Sequence, residues 1–580
     1  MSKEKRAEIL AQARKVLGVD HLVLLIHDAS FPSRPSEDSG RGSPYSYGAR
    51  DLLEWAKDRG FTGIQLGPQG ETSRSNPSPY DGTSFAKTVL SVALRRLADE
   101  PQWEGILDPA IVDNIVQNVP GSDGRMHYAY VYDAQRRALA SAFAKIDRAG
   151  PLFRRFEEWR AANAAWLDRD ARIESWSALY GTDDWRLWPS SLPDVGRGDD
   201  VFAFGQFVVH AQHAELLSFA ESIGLSVFGD LAIGTSHRDR FGRDDLFLAH
   251  YVMGAPPSRT NPEGQPWAYP VFVPDSDVAL EYMRARATKL LSELHGLRID
   301  HPHGHICPWV YDAHAPDSLA AVVAGARLFE SPDLPDHPVL ARYAIARADQ
   351  IDRTVPRYAE RWVTDLDEAQ VTRYTRQLDV LVEAAKSFGR AREDILCEVL
   401  STCPYPLARV MQRYGFGRFR VTQKADPLNP TDVYRTDLTV RGDWVMLGNH
   451  DTPTIWRSID GWTDAKVTAW SQYLAPRLAL SPSAIDRAAL PQAMFSDLFA
   501  CEAGSIGVFF ADLFGSREVY NAPGVVSPDN WTLRAGNDFA KVHATRAPKG
   551  EALDVITAMT TALRARGETD LANEVAALPK

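Results

Sequence analysis

Cysteine is scarce: Cys307, Cys397, Cys403 and Cys501 are the only four in 580 residues, and no two form a Cys-x-x-Cys pair. A disulfide framework or a thiolate zinc site would need more of them, closely paired, so reduced thiols are expected. Long apolar runs are also missing, and none approaches the ~20 residues that span a bilayer. Positive charge is in short supply, with 64 Lys and Arg against 76 Asp and Glu and a net charge of −12. Basic residues are scattered apart from short clusters such as Arg154-Arg155. That balance argues against nucleic acid or an anionic membrane as partner and leaves a neutral substrate unaffected. Gly67-Pro68-Gln69-Gly70 lacks the Lys and Ser/Thr of a phosphate loop. The opening Met1-Ser2-Lys3-Glu4-Lys5-Arg6 runs into a charged helical pattern rather than an apolar signal core, so a cytoplasmic location is expected.

What is present is an alternation of short β-rich segments with longer helical ones, the pattern of a parallel α/β architecture. Strands are expected at 21–27, 62–66, 226–230, 297–300, 395–399, 418–422, 444–447 and 507–510. Several are continuous apolar runs, as strands buried on both faces should be. Eight such strands predict a (β/α)8 TIM barrel. Their uneven spacing predicts large, mainly helical insertions after strands 2 and 4. Residues 1–70 then carry strands 1–2, and 71–200 form a helical insertion with helical patterns at 134–149 and 152–166. Residues 201–306 carry strands 3–4, 307–393 a second insertion that reads as almost wholly helical, and 394–580 strands 5–8 and a closing helix.

Three carboxylates stand at strand ends: Asp300 after Leu297-Arg298-Ile299, Glu398 after Ile395-Leu396-Cys397, and Asp451 after Trp444-Val445-Met446-Leu447-Gly448-Asn449-His450. Singly, an acid at a strand end is more often a helix cap or loop hydrogen-bonder than a catalyst. A barrel, however, brings all three to one face, where acids suit a positively charged transition state such as that of glycosidic cleavage. Asp300 fits a nucleophile, because Arg298 lies two residues earlier on the same side of the strand and would keep it ionised. Glu398, flanked by Leu396, Cys397, Val399 and Leu400, is expected to have a raised pKa, as a general acid needs. Asp451 beside His450 would hold sugar hydroxyls and favour a distorted ring.

His301, His303 and His305 alternate, which invites a metal reading, but no matching ligand cluster lies nearby in sequence. His301 is better used as a donor to a sugar hydroxyl. Most tryptophans are expected in the core, but Trp185, Trp188, Trp267 and Trp531 lie in Pro- and Gly-rich segments where indoles could stack on sugar faces.

These segments resemble the amylomaltases, or 4-alpha-glucanotransferases, relatives of the alpha-amylase barrels, over about residues 21–534. Leu297-Arg298-Ile299-Asp300-His301 is similar to the family's Arg-Ile-Asp-His nucleophile motif, Glu398 falls where its acid/base follows a short strand, and His450-Asp451 resembles its third-carboxylate pair. Gly254-Ala255-Pro256-Pro257 with Gly264-Gln265-Pro266-Trp267 and Pro270 resembles the loop that arches over glucan, here within 251–270. Gly229-Asp230-Leu231-Ala232-Ile233, Ser78-Pro79-Tyr80, Pro523-Gly524 and Asn530-Trp531 match further family elements. The resemblance implies catalytic Asp300, Glu398 and Asp451, with Arg298, His301, His450, Asp230, Tyr80, Trp267 and Pro257 binding substrate. The chain departs from the family pattern at Pro302-His303-Gly304, at Val399-Leu400-Ser401, at Ser258, and at Ala268, where a glycine is common.

The resemblance implies a retaining 4-alpha-glucanotransferase with an alpha-1,4-glucan or malto-oligosaccharide donor, a sugar acceptor, and no cofactor or metal. A monomer or homodimer is expected. An alpha-glucan hydrolase on the same carboxylates is the alternative, and a non-catalytic glycan-binding protein a further one.

Overall fold

In a computed structural model, which describes residues 2–579 apart from 122–123, 259–260 and 525–526, the apolar runs form eight parallel strands of one sheet. They are His21–Leu25, Gly63–Gln65, Ser226–Leu231, Gly296–Ile299, Ile395–Cys397, Phe419–Val421, Trp444–Met446 and Ser505–Phe509, each overlapping an expected segment. Neighbours in sequence are neighbours in space, and the eighth strand returns to the first, with Leu22 opposite Ile506. Between the fifth and sixth strands one backbone bond, Phe419 N–H to Val399 O at 3.2 Å, spans the seam. The ring of strands is a (β/α)8 barrel.

Large rings fill its floor. Phe228 lies edge-on to both His21 and Trp444, which stack on each other at 5.6 Å. Two glycines make room for Phe228: a Cβ on Gly296 would lie 2.3 Å from its ring, and one on Gly63 would lie 3.2 Å away. Outside, helices such as Tyr47–Asp58 turn Leu52, Leu53 and Ala56 onto the barrel, and Ser46 caps that helix by accepting from Ala49 N–H.

The first insertion is helical, built chiefly on Tyr128–Lys145 and Pro151–Tyr180, which pack on the helix Asp200–Ser222. The second differs from its expected, almost wholly helical character. Trp309–Asp312 and Ala326–Arg327 are strands, and they complete a four-stranded antiparallel sheet with Phe247–Ala255 and Gln265–Phe272. The arching segment is thus the outer hairpin of this sheet, with positions 259–260 of 251–270 outside the described residues. Its partners lie ~55 residues downstream, and short strands whose pairing is non-local leave little periodic signal. The tail forms two helices, Val555–Ala565 and Thr569–Ala576, rather than one. No described helix is long and apolar enough to cross a membrane.

Gly296→Ala is expected to destabilise the protein by about 1–3 kcal/mol through overpacking against Phe228. A lowered urea midpoint with an unchanged slope would show it.

Candidate active site

The strand ends place Arg298 at the centre of an acidic cluster. Its side chain is 1% exposed and crosses the top of the barrel from the fourth strand. Nη1 donates to Asp230 Oδ2 at 2.6 Å, while Nη2 lies 3.2 Å from Asp300 Oδ1 and 2.7 Å from Glu398 Oε2. The strand register explains this: Arg298 is opposite Asp230 on one side and Leu396 on the other, two residues before Glu398. Three carboxylates from three strands therefore share one guanidinium. The contact to Glu398 is an ion pair without hydrogen-bond alignment.

A second chain of contacts runs across the barrel mouth. Tyr80 Oη donates to Asp230 Oδ2 at 2.9 Å and lies 2.9 Å from His450 Nε2, which is 3.2 Å from Asp451 Oδ2. Asn521 Nδ2 donates to Asp451 Oδ1 at 2.9 Å. His301 Nε2 stands 4.0 Å from Glu398 Oε2, and Trp267 covers the His301 ring at 5.1 Å between centroids. His301 has φ +40, a left-handed backbone rare outside glycine, and such conformers cluster at functional sites. Nine of the ten expected site residues are thus in this network. Pro257 lies apart, lining a cavity of about 530 Å³ with Tyr358, Glu360, Ser401, Thr402 and Asn429, beside the loop that follows Glu398.

The electrostatics reverse one expectation. Burial pushes Asp300 up to about 7, beyond what Arg298 offsets. Burial also acts to raise Glu398, but Arg298 and then His301 outweigh it and hold that carboxyl down to about 2. The apolar neighbours of Glu398 in sequence are not its neighbours in space, since its carboxylate points at the guanidinium. With one cation among three acids, burial favours a proton shared by the Asp300–Glu398 pair. At Asp451, burial is outweighed by His450, which holds the carboxyl well below the usual range. His450 is raised in turn: burial opposes its charge, but Asp451 prevails.

Single atoms of Asp300, His301 and Glu398 lie within 4.8 Å of one another, a spacing that could hold a metal ion. Arg298 Nη2 already supplies the cation between the two carboxylates, which disfavours a second. The alternating histidines separate: His303 Nε2 faces Thr402 O at 2.9 Å, and His305 Nδ1 lies 3.3 Å from Gln377 Oε1.

Two of the four singled-out tryptophans are buried rather than presented to solvent, Trp188 and Trp531 each being 8% exposed. Trp185 and Trp188 pack around Phe241 at the tip of the first insertion, with their indole N–H groups donating to His237 O and Thr182 O. Trp531 stacks on His27 and backs Tyr80 and His450. Trp267 meets the site from the arching hairpin, at His301.

Sequence reasoning missed His27, Asn521 and Tyr269. His27 follows the first strand, so the strand-end argument used for the acids would have found it. Tyr269 lies beside Trp267, with ring centroids 6.0 Å apart; its ring presses on Gly234 and its hydroxyl faces Asp81, in the field of Asp300. Asn521 lies in irregular chain without a local signal.

A protein-family model for glycoside hydrolase family 77, described as 4-alpha-glucanotransferase, matches residues 27–538. Among curated relatives, the 4-alpha-glucanotransferase of Thermus thermophilus is 27% identical over 342 residues, 53% of this chain and 64% of the relative. The chloroplastic/amyloplastic enzyme of Solanum tuberosum is 24% identical over 49% of this chain and 52% of its own length. The matched stretches thus span less than two thirds of either relative. Among solved structures, amylomaltase from Streptococcus agalactiae, in complex with acarbose, aligns with TM-score 0.69 at 16% identity, covering 92% of this chain and 100% of that one. Corynebacterium glutamicum amylomaltase aligns with TM-score 0.68 at 16% identity, covering 98% and 76%. At that identity the structural likeness speaks for the fold.

Arg298→Gln would strand three buried carboxylates without their cation, and is expected to cost about 3–5 kcal/mol. In that variant burial alone raises the folded-state pKa values above the unfolded ones, so the loss is largest at high pH and recovers as pH falls. Urea midpoints at pH 8 and pH 5 check the sign.

Proposed function

Because the chain belongs to the 4-alpha-glucanotransferase family, we propose that it is a retaining transferase that moves alpha-1,4-glucan segments to the 4-hydroxyl of an acceptor sugar. The observation that carries this reading is the Asp300–Glu398 pair, with oxygens within 4.8 Å of each other. Retaining glycosidases hold their carboxyls ~5–5.5 Å apart, whereas inverting enzymes need ~6.5–9.5 Å to admit a water.

A glucan ring sits with its anomeric carbon against Asp300 and its leaving oxygen against Glu398. As the C1–O bond breaks, an Asp300 oxygen bonds to C1 and the proton of the pair passes through Glu398 to the leaving oxygen. The growing positive charge on the ring favours ionised Asp300 and so shifts that proton towards Glu398. Glu398, now ionised, takes the proton of an incoming 4-hydroxyl as its oxygen displaces Asp300 from C1. Two inversions give net retention. Asp451, kept ionised by His450 and oriented by Asn521, accepts from ring hydroxyls, while Asp230 and Tyr80 fix Arg298 and His450. The cavity beside Pro257, Ser401 and Thr402 lies next to the acid/base loop and suits the acceptor chain.

Asp300→Asn is expected to lower turnover by several orders of magnitude while amylose affinity stays within a few-fold, since only the nucleophile is lost. Maltotriose should yield glucose together with chains longer than itself, and products no longer than the input would sink the transferase reading. The acid step needs the proton that the pair releases near pH 7, so kcat/KM should fall as pH rises beyond about 7. A pH–rate profile on maltotriose measures this.

A further inference from the structure

The hairpin that carries Trp267 is irregular at one point. Met253 pairs with Tyr269 and Ala255 with Gln265, so residues 266–268 oppose Gly254 alone, a bulge of two extra residues. Bulges re-aim side chains beside active sites. Here the bulge turns on Ala268, whose φ of +57 is left-handed, a conformation that costs an L-residue roughly 1–2 kcal/mol. Ala268 is exposed, so packing of its own side chain does not hold it there.

What does hold it is the Ala268 N–H, which donates to Tyr311 Oη at 2.9 Å. Tyr311 comes from the second insertion, on the strand Trp309–Asp312 that pairs with the other arm of the hairpin. Its ring is buried with Val252, Trp309 and Val322, and it lies across Gly254, where a Cβ would come within 3.0 Å of it. Trp267, next to Ala268, is thereby directed onto the His301 ring, and its indole N–H donates to Gln265 Oε1 at 3.0 Å. Two left-handed non-glycine residues, Ala268 and His301, thus flank a single ring contact beside Glu398.

We propose that Tyr311 is a positioning residue whose hydroxyl locks the Ala268 bulge, holds Trp267 over His301, and so sets how often the glycosyl-enzyme meets a sugar rather than water. The inference rests on the transferase reading. Once Asp300 is glycosylated, Glu398 deprotonates whichever hydroxyl reaches it, and His301 is its neighbour on the side that Trp267 covers. A fixed indole offers a sugar face a stacking surface and keeps that side dry. A released bulge lets the indole swing away and admits water. The chemistry at Asp300 and Glu398 stays the same, and only the partition of the intermediate changes.

The test is the ratio of hydrolysis to transfer on maltotriose, read as net new reducing ends against chains longer than maltotriose. Tyr311→Phe keeps the packed ring and removes only the hydroxyl. It is expected to leave initial donor cleavage within about twofold and to raise the ratio roughly fivefold, the weight of one lost hydrogen bond. Adding Ala268→Gly should bring the ratio back towards wild type, because glycine occupies the left-handed bulge without penalty. A loss of packing alone would not be rescued by that second change. An unchanged ratio in Tyr311→Phe, or a raised ratio that Ala268→Gly fails to lower, overturns the inference. A wild-type protein that makes only shorter products overturns the transferase reading instead.

Discussion

One guanidinium organises this molecule's chemistry. Arg298 is fully enclosed in the top of the barrel, and Asp230, Asp300 and Glu398 all converge on it from adjacent strands. A buried cation of this kind is tolerable only because acids surround it, and three acids are tolerable only because the cation is there. The imbalance of three against one is what leaves a proton on the Asp300–Glu398 pair near neutrality. Proton sharing and the placement of the proposed nucleophile, Asp300, are thus two consequences of the same contact.

The barrel supplies the rigidity this arrangement needs. Parallel pairing fixes Asp230, Arg298 and the approach to Glu398 in register, so no loop has to hold the central ion pairs. Loops then carry what can vary. Asp451 is set by His450 and Asn521 beyond the seventh strand, and Trp267 by a hairpin braced from the second insertion. Backbone strain occurs in the same region, at His301 and Ala268, where the surrounding packing can over-determine it.

Much of this was readable in the chain. Eight short β-rich runs, several of them continuously apolar, marked eight barrel strands, and the acids at their ends marked the candidate active-site face. Arg298 and Asp300 could be placed on one side of a strand by simple alternation. The errors have a common source, because sequence neighbours were used as proxies for spatial ones. Glu398 looked apolar from its flanking residues, yet its carboxylate lies on Arg298. Trp531 looked exposed among polar loop residues, yet it is walled in by His27, Tyr80 and Tyr520. The strand Trp309–Asp312 was hidden in a helical insertion because its partner lies far back in the chain.

Sequence alone determined the barrel strands and the strand-end position of the three acids, since periodicity, composition and strand-end position are local properties. Tertiary structure alone decided that Asp300 and Glu398 share one buried guanidinium, how Trp267 is aimed, and that the Ala268 N–H meets Tyr311. Those outcomes depend on distances between residues tens to hundreds of positions apart, and on a low-dielectric interior in which a few ångströms decide the sign of a pKa shift.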